Sequence, residues 1–194
     1  KCAEVILANE PADIDAAREL TKDLFTDATV KMGEKFDLRR FVLTKKNDTS
    51  IYSYIHMGGK IGVVVVLDKE DDELGKGVAM HIAANNPQYA SKADIGADAI
   101  AHETEVQTKA AAEDPKFAGK PEAMIQKIIS GKVDKYFSEM VLTEQAYLLD
   151  DSKKVGVVLK EKNVNVVKYI RYQVGEGIEK RQDDFAAEVM SQVK

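Results

Sequence analysis

Three histidines, one cysteine and a few acid pairs are the side chains that could do chemistry here, and their spacing decides which chemistry is open. His102 followed by Glu103 begins like the His-Glu-x-x-His helix of zinc-dependent hydrolases, where two imidazoles one turn apart hold the metal. The position four after His102 is Val106, so the second ligand is missing. Cys2 is far in sequence from His56, His81 and His102, which leaves no Cys-His set for structural zinc and no disulfide within the chain. Lys60, Lys76, Lys120 and Lys132 each follow a glycine, but none has the earlier glycine and the following Ser or Thr of a phosphate-cradling loop. Gly175, Glu176 and Gly177 lack the third glycine of a dinucleotide fingerprint. Asp71, Asp72 and Glu73, like Asp150 and Asp151, read as helix caps and solvated charge rather than as a general acid and its base. No Ser, Cys or Lys stands beside a base as an activated nucleophile would. The residues therefore point to no catalytic group, no metal and no cofactor.

The elements that must carry these residues follow from periodicity and turn chemistry. Ile61 to Leu67 is a short apolar run of β-branched residues, which predicts a strand covered on both faces. Asp68 to Asp72 breaks it, and Leu74, Val78, Ala79, Ile82 and Ala83 then fall on one helical face. Upstream, Asp13 to Met32 predicts a long helix closed by Gly33, and Phe36, Leu38 and Phe41 to Leu43 predict a strand. Ser50 to Met57 alternates, and Gly58 with Gly59 supplies the positive φ angles of a two-residue turn, so Ser50 to Leu67 is expected to be an antiparallel hairpin.

Downstream, Ala97 to Glu113 and Pro121 to Met140 predict two helices joined by a Gly and Pro loop, a helical hairpin whose thin apolar seam suggests a projecting arm. Ile100, Val106, Ile128 and Tyr136 are the arm-seam residues of this reading. Val155 to Leu159 predicts a short helix capped by Asp150 to Ser152, Val164 to Val174 a strand that joins the sheet, and Asp183 to Val193 a terminal amphipathic helix. The fold class is α+β: small antiparallel sheets packed with helices, plus a projecting antiparallel helical hairpin and a C-terminal helical module.

A net charge of -5 argues against a nucleic-acid binder driven by bulk charge, and no apolar run has the length of a membrane span. One cysteine fits a reducing, cytoplasmic setting. Lys1 to Ala8 is neither a secretory signal nor an Arg-rich transit segment, and Lys1 in place of Met leads to the expectation that the chain starts inside a longer protein.

Several segments, read together, resemble a known family. Met80 to Tyr89, reading Met-His-Ile-Ala-Ala-Asn-Asn-Pro-Gln-Tyr, is similar to a signature of bacterial elongation factor Ts. Gly119 to Glu122 resembles the loop of that family's coiled-coil arm, and Asp151 to Gly156 resembles the helix that follows it. Most specific is Arg171 to Lys180, continued by Asp184 to Val189. The resemblance implies a guanine-nucleotide exchange factor for elongation factor Tu, with no bond-making residues of its own. A partner that binds empty Tu more tightly than GDP-loaded Tu must weaken GDP binding by the same factor.

By position, the resemblance implies Tu contacts at Met32, His56, Leu148 and Leu149. Each has a plainer reading: Met32 closing its helix, His56 ending a strand, the two leucines buried. It also implies that Phe185 and Val189 dock a terminal helix on the core. The division implied is 1–47 as the remnant of a first core subdomain, 48–90 with 141–177 as a second, 91–140 as the arm and 178–194 as the C-terminal module. The family's N-terminal helical domain and its Thr-Asp-Phe-Val segment are not in this sequence, so weak exchange activity is expected. The alternative is a structural or adaptor module that self-associates through the arm; some family members dimerise there, so a homodimer is compatible with either reading.

Overall fold

The structure is a computed structural model that describes residues 1–177. The helix expected over Asp183 to Val193, the module 178–194 and the sites Phe185 and Val189 lie outside the described residues. The chain divides into two compact units, one over Lys1–Asn47 and one from Asp48 onward.

In the first unit, α1 (Cys2–Asn9) precedes α2 (Ile14–Met32). Asp13 caps α2 by accepting from Ala16 N at 2.9 Å, and Gly33 ends it at φ 72, a left-handed position that glycine takes without a Cβ clash. Ala17 and Thr21 are fully buried, the Thr21 hydroxyl donating back to Ala17 O. α1 has no clear apolar stripe in its eight residues, which is why periodicity leaves it unassigned. The strand expected over Phe36 to Leu43 is absent, and residues 35 to 47 form no regular element. Leu38 O accepts from Arg18 Nε at 2.9 Å, and Arg18 also pairs with Asp37 at 3.4 Å. A side chain of α2 thus takes a carbonyl that a strand would have given to a neighbouring strand.

The second unit is built on β2 (Ile61–Leu67), the centre of a three-stranded antiparallel sheet between β1 (Ser50–His56) and β5 (Val166–Gln173). Val63, Val65 and Leu67 are almost fully buried, each worth about 2 kcal/mol in apolar burial. On the other face Val66 is buried but Gly62 and Val64 are only half-buried, so the strand is covered less evenly than its apolar run implies. The β1 to β2 link is four residues rather than two: a 3-10 turn over Met57–Gly59, with Met57 at φ 51, Gly58 at φ 65 and Gly59 at φ 98, then Lys60.

α3 (Asp72–Asn85) lies on the sheet with Leu74, Val78, Ala79, Ile82 and Ala83 all buried, the face its spacing predicts. Asp71 caps it, accepting from Leu74 N at 3.0 Å. Gly75 and Gly77 cost helix propensity, but they permit close approach: a Cβ at Gly75 would fall inside the Tyr52 ring, and one at Gly77 would meet the Tyr147 hydroxyl. Tyr52 is also tied down by accepting from Asp71 N at 2.9 Å.

α4 (Ala97–Glu113) and α5 (Glu122–Ser138) pair through a second core of Ala111, Phe117, Ile129, Val133 and Phe137. Pro121 is the cap of α5, one position before the helix proper. The chain returns through β3 (Ala146–Tyr147), β4 (Asp150–Lys154) and α6 (Val155–Glu161). Asp150 to Ser152 does not cap α6. It is strand, and the Asp150 carboxylate accepts from Ser152 instead, while Lys154 precedes the helix without a side-chain cap. β5 is fastened to the end of β2 by Asp68, whose carboxylate accepts from Asn165 N and Nδ2 at 2.8 and 2.7 Å. Among the described residues no helix is long and apolar enough to cross a membrane.

Candidate partner-binding site

β3 and β4 are joined through Leu148 and Leu149, with Tyr147 paired to Asp150 across the turn. Both leucines are exposed, at 46% and 56%, while Tyr147 beside them is buried. An exposed pair of large apolar side chains at the tip of a two-residue turn costs solvation and is suited to a partner surface. Leu149 rests its Cδ1 near Gly77, so its neighbour on α3 is bare backbone.

Beneath the turn sits His81, wholly buried on α3. The Leu148 backbone N–H donates to His81 Nδ1 at 3.1 Å, and Asn85 Nδ2 lies 3.2 Å from the same nitrogen. A backbone amide can only donate, so Nδ1 carries no proton and the imidazole proton is on Nε2. Nε2 donates to Gln145 Oε1 at 2.9 Å, and Gln145 is oriented by donating its own Nε2 to Glu139 O at 2.7 Å. Burial holds the His81 pKa below the ordinary 6.5, with the Gln145 bond acting the other way. The Tyr147 phenol is pushed up, by burial first and then by the charges of Glu73 and Asp71.

His56 is at the last position of β1, opposite Ile61, exposed, with its Nδ1 3.1 Å from the Tyr54 hydroxyl. Ile55 and Met57 beside it are 64% and 61% exposed, and Val174 N donates to Lys60 O at 2.8 Å, which brings a third exposed apolar side chain to this end of the sheet. Sequence reasoning names His56 and passes over those three as contacts; Ile55 and Met57 flank His56 in the chain, whereas Val174 lies more than a hundred residues away and has no local signal. Met32 is the last residue of α2, 68% exposed, in the other unit.

Of the arm-seam residues, Ile128 is half-buried against the α4 and α5 core, whereas Ile100, Val106 and Tyr136 stay exposed at 41%, 43% and 41%. On α4 the covered positions are Ala99, Glu103, Gln107 and Ala111, spaced by four; Ile100 falls on the same stripe and Val106 at its edge, yet both side chains stay exposed. Glu103 is buried with Gln107 donating to it at 2.7 Å.

An open cleft of about 500 Å³ is lined by Ser91, Asp94, Thr143, Lys160 and Asn163 among others, without the Gly175 to Gly177 turn. Among the described residues no group of three or more His, Cys, Asp or Glu could hold a metal ion. The features that stand out are exposed apolar side chains at the Leu148–Leu149 turn and at the end of β1. A family model described as Elongation factor TS matches residues 1–176.

Proposed function

The chain belongs to the elongation factor Ts family, and on that premise we propose that it binds elongation factor Tu and promotes release of GDP in the cytoplasm. The observation that carries this reading is the family match over nearly the whole chain, and the exposed Leu148–Leu149 turn supports it. Such a protein makes and breaks no bond. It lowers GDP affinity only to the extent that it binds empty Tu more tightly than loaded Tu.

In this reading Leu148, Leu149, His56 and Met32 touch Tu. Residues 1–47 belong to a first core subdomain, 48–90 with 141–177 form the second, and 91–140 the arm. Stimulation by the 194-residue chain is expected to be modest, because the Thr-Asp-Phe-Val stretch that the resemblance assigns to the nucleotide site is not among its residues. Release of a fluorescent GDP from Tu tests the proposal. Release should accelerate with added chain and saturate; an unchanged rate at concentrations that saturate empty Tu would refute it.

A second reading, self-association through the arm, is favoured by the exposure of Ile100, Val106 and Tyr136 together with Met124 at 53%. Its test is molecular size against concentration: a dimer built there dissociates when Ile100 and Val106 become serine.

A further inference from the structure

We propose that His81 is the positioning residue for the Leu148–Leu149 turn, holding it in the form presented to Tu by accepting the Leu148 N–H at a bare Nδ1. The inference rests on the reading that this turn touches Tu. Two independent observations carry it. The first is the bond network itself, in which α3 reaches the turn through one imidazole and fixes its tautomer from the far side through Gln145. The second is the turn's backbone. Two-residue hairpins favour turns with positive φ, supplied by Gly, Asn or Asp, because that twist matches the strands. Here the two turn residues are leucines and neither has positive φ. Local preference does not explain the turn, so its shape depends on what it is bonded to.

Protonation of His81 would set an N–H against the Leu148 N–H and break the hold. The groups facing this network are few. Tyr147 has its ring centroid 6.2 Å from the imidazole, and Lys135, Glu139, Glu144 and Lys154 line the groove beside Asn85 and Gln145. Glu144 and Lys154 are paired at 2.8 Å.

The test uses the whole chain and nucleotide-free Tu. Asparagine places its Oδ1 near the position of Nδ1 and cannot titrate; glutamine places its amide nearer Nε2 and loses the acceptor under Leu148. His81→Gln should bind about tenfold more weakly, the loss of one buried hydrogen bond, and His81→Asn should recover most of that affinity. In the parent, affinity should fall as pH drops from 7.5 to 5.5 more steeply than in His81→Asn. Equal weakening by both substitutions, or the same pH profile in parent and His81→Asn, overturns the proposal. The variant Leu148→Ala with Leu149→Ala separates the two layers: if it binds as the parent does, the turn is not a Tu contact, and the hold is then judged on the parent's Leu148 amide resonance. That resonance moves with the imidazole titration if the bond exists and stays fixed if it does not; the same measurement decides the matter should the His81 variants fail to fold.

Discussion

Half-buried Tyr169 and buried His81 link the stability of this fold to pH in opposite directions. Tyr169 donates its hydroxyl to Pro87 O at 2.8 Å, and burial, aided by Asp94, pushes its pKa up to about 12. The neutral phenol is the form the fold favours, so its contribution is complete below pH 10 and is lost as pH rises toward 12. Tyr169→Phe is expected to cost about 1 kcal/mol in a urea titration at neutral pH and to remove the alkaline part of the loss. His81 is held neutral by a lowered pKa, so its contribution is complete above about 6.5 and falls as pH drops below that toward the folded value. The melting temperature of the parent should therefore fall between pH 6.5 and 5 more than that of His81→Asn. At this scale the sequence was only partly readable. His81 shows in the chain as a histidine without a metal partner, because Gln145 and Leu148 lie more than sixty residues away and no local spacing announces them.

Among the elements, those with a strong local period are the ones the chain states openly. Ala97–Glu113 has the bounds the pattern gives, and the apolar stripe of α3 is the face that packs. Phe36 to Leu43 misleads because its composition suits a strand, whereas a strand exists only where another supplies its ladder; here Arg18 takes the Leu38 carbonyl. Asp150 to Ser152 misleads in the same manner, acids that suit a helix start being claimed by pairing with β3. The glycines of α3 offer a check on which force governs that helix. Gly75→Ala gains roughly 1 kcal/mol of helix propensity, but its methyl would enter the Tyr52 ring, and the variant is expected to be less stable by about 1 to 3 kcal/mol in chemical denaturation. Within the arm, Ile129 is 1% exposed, so Ile129→Ala should cost about 2 to 4 kcal/mol. Hydrogen exchange should then quicken over α4 and α5 while β2 remains protected.

For the whole molecule, the informative fact is that a chain rich in charged residues displays exposed apolar side chains at a turn and at a sheet end. Which apolar side chains stay exposed could not be read from the sequence, since exposure at Ile55, Met57, Leu148 and Leu149 depends on where distant segments pack. Exchange by linkage makes a thermodynamic demand on this molecule: the factor by which it prefers empty Tu over GDP-loaded Tu equals the factor by which it weakens GDP. Equilibrium titration of the chain against both forms of Tu, at one pH and salt concentration, measures that factor directly. The account predicts clearly tighter binding to nucleotide-free Tu, and equal affinity for the two forms would contradict it.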